Sequence, residues 1–207
     1  TNASEIIKKA VDSLSSTGGT IFLRACLFDL LTPIHIDRED IVITGEGEGY
    51  GGAGYDKTYG NGTKLVADGF SAFIIGNLSS NTPHADARGV TIKNLGIYGK
   101  YTTEVLPNTD YTSGCGIYVG AGEFLEFKNL YITRKEYGIR FHTRAMPFVT
   151  DWIVIDNCQF VFNYKGIVHD YGWAAYWHIS KIHGSMNQRN FIQVNPTLSF
   201  YGSEIDS

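Results

Sequence analysis

The sequence predicts an all-β chain, a right-handed single-stranded parallel β-helix behind a short N-terminal capping α-helix. Three observations carry this. Two strand types recur in alternation, with a short, ragged period. One segment alone, at the start, has a helical period. Charged residues make up only 18% of the 207, while glycines number 24 and aromatics reach 14%. That composition favours short strands between tight turns over a helical protein.

The first element is the helix. Asn2 is its expected N-cap, with Glu5 three residues on completing a capping-box pattern. Ile7, Ala10, Val11 and Leu14 follow the spacing of one apolar helix face. Gly18-Gly19 is expected to end the helix. Short strands then begin, among them Thr20–Leu23, Ile34–Ile36, Ile41–Ile43 and Lys64–Val66.

The repeat decides the architecture. One strand type reads Val90-Thr91-Ile92-Lys93-Asn94-Leu95-Gly96-Ile97. It returns as Leu125–Ile132 with Asn129 in the same place, and as Ile153–Phe160 with Asn157 there. Trp177–His183 is a weaker copy with Lys181 in place of asparagine. The second type starts at Gly116, Gly138, Gly166 and Phe191, so successive starts are 22, 28 and 25 residues apart. Such a coil cannot bury its apolar side alone; stacking pairs each strand with its equivalents and joins the inward side chains into one column. The recurring asparagine suits a stacked bend, because it tolerates left-handed backbone and bonds neighbouring groups. The helix would plug the first coil and hide its sheet edge.

The expected layout is one domain over 1–207. Residues 1–18 form the cap, 19–98 the first coils with a Gly-rich loop at 45–62, 99–114 a loop insertion, and 115–207 the later coils. The chain begins without Met and shows no clean C-terminal cap after Phe200, so it is expected to belong to a longer protein or an assembly.

These residues resemble the pectate lyase-like β-helix superfamily, in particular its phage-tailspike and polysaccharide-enzyme branch. Ala10–Leu14 with Gly18–Leu23 is similar to that family's opening helix and first strand, and Pro33–Ile36 and Ile41–Gly47 to the segments after them. Cys26 is a departure, standing where the family usually has glycine. The resemblance implies a polysaccharide or cell-surface glycan as partner, an extracellular or virion-surface setting and, among assemblies, a homotrimer. It also implies that the Gly-Ile strands form the ligand-facing sheet. A fold does not by itself assign function.

Composition closes other routes. The net charge of −4, with no basic stripe, argues against nucleic acid. No apolar run approaches the ~20 residues that cross a bilayer, so no membrane insertion is expected. The cysteines at 26, 115 and 158 fit neither a zinc motif nor a paired framework. Cys158 reads as a small buried apolar residue. His178 and His183 do not share a face, so no metal pair is assigned. Gly47–Gly52 matches G-x-G-x-x-G, yet no helix follows and Glu46 and Glu48 would repel phosphate.

Strand alternation assigns faces on the Gly-Ile strands. With Ile117, Val119, Ile139, Phe141 and Ile167 inward, Tyr118, Arg140, His142 and Asp170 point out, and Gln193 follows one coil on. His169 is assigned inward. The candidate catalytic residues are therefore Asp170, Arg140 and His142. The candidate sugar-binding residues are Tyr118, Tyr171, Trp173 and Gln193, since flat rings suit sugar faces and polar groups bond hydroxyls. The plainer reading of the same residues is a solvated sheet face. Hydrolysis needs a second carboxylate beside Asp170, and Asp151, Glu136 and Asp156 are the alternatives. Elimination needs a base, for which Arg140 is the candidate, and calcium as cofactor, although no cluster of acids to hold it is evident. A non-catalytic structural or adhesive module is the opposing reading.

Overall fold

Asn2 opens the helix Ala3–Ser13, its side-chain oxygen accepting from the Ser4 N–H at 3.0 Å. Its amide also donates to Glu5 Oε1 at 3.3 Å, so the capping pair meets through side chains. The helix stops at Ser13, short of the glycine pair expected to end it. The reason is not local. Arg38 donates to the carbonyls of Val11 (2.7 Å), Leu14 (3.0 Å) and Ser15 (2.7 Å), satisfying the acceptors a helix end leaves open. Gly18 and Gly19 instead turn the chain into its first strand. Ile7 and Val11 are buried against the first coil.

The computed structural model describes residues 2–48, 61–76, 87–99, 114–142, 149–171, 173–187, 189, 191–194, 200–201 and 204–205. Most of the Gly-rich loop and the interior of the 99–114 insertion lie outside these residues.

Among them, every strand-to-strand pairing is parallel and joins one coil to the next. A first sheet runs through Gly19–Leu23, Ile41–Gly45, Thr91–Tyr98, Glu126–Thr133, Val154–Asp156, His178–Ser180 and Glu204–Ile205. Past a corner it continues in Leu27–Asp29, Lys64–Val66, Gln159–Val161 and His183–Ser185. A second sheet holds Ile34–Ile36, Phe73–Ile75, Cys115–Val119, Tyr137–His142, Lys165–Tyr171 and Ile192–Val194. A third, smaller sheet holds Gly122–Glu123, Val149–Asp151, Trp173–Ala175 and Phe200–Tyr201. The chain visits them in rotation, which is the path of a parallel β-helix.

Register builds the core. Ile43, Ile92, Phe127, Ile155 and Ile179 align as one inward column on the first sheet. Ile36, Ile75, Val119, Phe141 and His169 do so on the second. All ten are buried. The glycine that begins the second strand type has a packing reason: a Cβ at Gly138 would strike the Phe160 ring, and one at Gly166 the Phe191 ring.

The recurring asparagines sit at the corner inside the first sheet. Asn94, Asn129 and Asn157 hold φ of 57°, 53° and 52°. Asn129 donates to Asn94 at 2.8 Å and Asn157 to Asn129 at 2.8 Å, while Asn94 ends the ladder on Thr44 Oγ1 at 3.1 Å. Lys181 keeps the conformation, φ 51°, without the amide. Cys115 and Cys158 are buried and Cys26 exposed, all three as free thiols.

Candidate functional site

Register places His35, Ile74, Tyr118, Arg140, Val168 and Gln193 in one outward column on the second sheet. Pairing between Tyr137–His142 and Lys165–Tyr171 is regular up to Phe141↔His169 and then shifts, so that His142 meets Tyr171. Asp170 is the extra residue. A bulge of this kind leaves one residue outside the ladder and re-aims its side chain.

Asp170 uses that freedom to bridge two neighbours on the preceding coil. Arg140 Nε donates to Asp170 Oδ2 at 3.0 Å, and Arg140 Nη2 donates to the same oxygen. His142 Nδ1 lies 2.7 Å from Asp170 Oδ1. The Tyr137 ring lies under the guanidinium at 4.5 Å. The Tyr118 hydroxyl donates to the His142 carbonyl at 3.2 Å, fixing the strand at the bulge.

Electrostatics follow from this packing. Burial alone would raise the Asp170 pKa. Hydrogen bonds from His142 and Arg140 outweigh it and hold the carboxyl below its ordinary value. Burial pulls on Arg140 as well, but the Asp170 carboxylate raises its pKa above the ordinary value. Asp170 is thus an ionised acceptor and Arg140 a fixed cation. When Nδ1–H is donated to Asp170, the neutral imidazole of His142 carries its lone pair on Nε2.

Strand alternation therefore brings Arg140, His142 and Asp170 to one point, but two expectations are corrected. The outer face is not a bare surface: Tyr118 is 0% exposed and Arg140 5%, against 25% for the Asp170 side chain and 13% for that of His142. Tyr118 thus offers no ring face to a sugar. Arg140 does not suit the role of base, because Asp170 stabilises its charged form. Gln193 lies on the adjoining rung, half-buried. The side chains of Tyr171 and Trp173 lie outside the described residues. Among these residues Asp170 is the carboxylate that pairs with Arg140 and His142. Asp156 sits on the first sheet with Ser180 (2.8 Å) and Lys181 (3.7 Å), and Asp151 is on the third sheet. Glu136 precedes Tyr137–His142, its N–H donating to the Gly114 carbonyl. No group of three or more His, Cys, Asp or Glu among the described residues is placed to hold a metal ion.

His169 is buried in the coil, as assigned. It lies 3.4 Å from Thr150 Oγ1 and edge-on to Trp177, and burial lowers its pKa to about 4.

Sequence reading missed Tyr137 beneath Arg140. It also missed Phe124, Trp152 and Tyr176, three rings stacked at the corner between the third and first sheets. Their signal was present: each stands immediately before the inward residue that opens a copy of the first strand type, Leu125, Ile153 or Trp177.

Fold and cluster together define a parallel β-helix protein with a charged, partly open site on its second sheet. No protein-family model and no curated protein matches the chain. Among solved structures it is similar to DFA-IIIase from Arthrobacter chlorophenolicus A6 in complex with GF2 (TM-score 0.64, 16% identity), covering 99% of this chain and 56% of that one. It is also similar to the tailspike gp49 of Acinetobacter baumannii bacteriophage Fri1, a capsular polysaccharide depolymerase (TM-score 0.55, 14% identity), covering 97% of this chain and 38% of that one. The chain thus spans little more than half the length of the first and under half of the second. The likeness is one of fold.

Proposed function

We propose that this chain is a carbohydrate-binding β-helix domain of an extracellular or virion-surface protein, and that it degrades polysaccharide at the outer face of its second sheet. The observation that carries this is the convergence of Arg140, His142 and Asp170 at a bulge. The likeness to the capsular polysaccharide depolymerase supports the substrate class. His142 Nε2 exchanges the proton, Asp170 orients the imidazole, and Arg140 keeps Asp170 ionised.

The arrangement suits elimination better than hydrolysis. A general acid for hydrolysis must hold its proton near neutrality, and Asp170 is driven the other way. In elimination, His142 takes the proton from the sugar carbon beside a carboxylate. The freed electron pair becomes the new C=C bond, the glycosidic C–O bond breaks, and the departing oxygen takes up a proton from water, while His142 releases the one it accepted to solvent.

The test is reducing-end release and ultraviolet absorbance of an unsaturated product from acidic and neutral polysaccharides. His142→Ala and Asp170→Asn are expected to lower turnover about 10²–10⁴-fold, as the loss of a positioned acid–base group does. Undiminished turnover in His142→Ala would remove the proposed mechanism. Reducing ends without the absorbing product would replace elimination by hydrolysis. Binding without product from any substrate would leave the adhesive module. A homotrimer belongs to the same proposal, and sedimentation of the purified chain checks it.

A further inference from the structure

In each coil, one turn residue stands just before the inward residue that opens the first-sheet strand. Pairing registers align these residues into a column: Gly18, Asp40, Gly89, Phe124, Trp152 and Tyr176. All hold left-handed backbone, with φ of 84°, 55°, 64°, 55°, 56° and 57°. Glycine and aspartate are what such a position favours. Bulky aromatic residues are what it disfavours. Burial does not explain the change, since the three rings are 47%, 50% and 47% exposed.

The rings form a wall. Phe124 and Trp152 stack with centroids 6.0 Å apart and planes 10° from parallel; Trp152 and Tyr176 stack at 4.4 Å and 13°. Beside this wall lies a groove of about 370 Å³. Its floor is the outer face of the first sheet, where register aligns Glu126, Val154 and His178, one from each of three coils. The volume is that of a small-ligand site. Seven side chains line it, far fewer than the ~20–30 residues a side of a stable protein interface. Both charge signs flank it, with Glu126 paired to Lys128 at 2.9 Å and Arg88 to Glu123 at 2.6 Å. That leaves no excess of positive charge to select a phosphate.

We infer that this groove is a saccharide-binding site separate from the Arg140–His142–Asp170 cluster, seating a glycan segment along the helix axis between the aromatic wall and the Glu126 and His178 side chains. Apolar C–H surface packs against the edges of the stacked rings and against Val154, and hydroxyls bond the carboxylate and imidazole. The choice of a saccharide rests on the carbohydrate reading above; the site itself rests on the column of turn residues.

The experiment uses the full chain and size-fractionated oligosaccharides of dextran, polygalacturonate and hyaluronate, read by calorimetry and intrinsic fluorescence. Trp152→Asn keeps a residue that tolerates left-handed backbone. Its affinity for the bound oligosaccharide should fall about tenfold or more and its fluorescence response disappear, while its melting temperature stays at the wild-type value. A marked loss of melting temperature in Trp152→Asn would make the rings a structural ladder and overturn the inference. Wild-type binding by Trp152→Asn, with turnover lost in His142→Ala, would overturn the inference and leave the carbohydrate reading standing. Failure of every oligosaccharide to bind the wild type would count against both. Self-association of the wild type that Trp152→Asn abolishes would assign the groove to contact between copies and sink the inference.

Discussion

At the corner inside the first sheet, Asn94, Asn129 and Asn157 hold a left-handed backbone; at the corner leading from the third sheet, Phe124, Trp152 and Tyr176 hold nearly the same φ. The asparagines answer this demand with their own chemistry. Each tolerates the conformation and donates a hydrogen bond to the preceding coil. The aromatic residues answer it badly, and the first three coils of their own column, with glycine and aspartate, show that better answers were at hand. One corner serves the fold. The other accepts a conformational cost and keeps its rings half in solvent, as a contact surface requires.

The largest expected effect lies at the asparagine corner. Asn129→Ala removes both ladder bonds and leaves a β-carbon in left-handed backbone, a loss of about 3–4 kcal/mol. Asn129→Gly, which relieves the backbone, should lose about half as much. Urea denaturation measures both, and equal losses would mean that backbone strain is not what the asparagine relieves.

The next effect comes from the interior between the corners, because neither the asparagines nor the rings titrate in acid. His169 has a folded pKa of about 4 against an ordinary 6.5, so the unfolded chain binds the proton first. Its contribution to stability is present above pH 6.5 and is lost as pH falls toward 4, about 3 kcal/mol in full. His169→Phe should flatten that acid limb in chemical denaturation at stepped pH. An unchanged slope would assign the acid sensitivity to other groups.

The smallest effects belong to the aromatic corner. Phe124→Gly removes one stacked pair, worth about 0.5–1.5 kcal/mol, and relieves about 1–2 kcal/mol of left-handed strain. A net change within about 1 kcal/mol is expected by urea denaturation. A loss as large as that of Asn129→Ala would make the two corners alike.

Much of the fold was legible because stacking forces repetition. The asparagine strands and the Gly-Ile strands declared two sheets, and alternation put Arg140, His142 and Asp170 on one face. The third sheet was silent: Gly122–Glu123, Val149–Asp151 and Trp173–Ala175 are two or three residues long and share no pattern. Alternation gives the side a residue points to and not what covers it, which is why Tyr118 was assigned outward and lies fully buried. The helix end was misplaced because its partner, Arg38, lies more than twenty residues away. The bulge left no mark, since Asp170 points outward by simple alternation as well as by the observed register.

That bulge separates an ordinary rung from one that carries a charged cluster. Without Asp170 the strand after Lys165 would follow its neighbour in unbroken register, and the sheet would be the more regular for it. The irregularity is a single inserted residue, the smallest change a gene can make to chain length. A solenoid of plain coils therefore stands one codon away from a carboxylate held between a guanidinium and an imidazole, and a lineage of such coils can gain or shed that cluster without rebuilding its core.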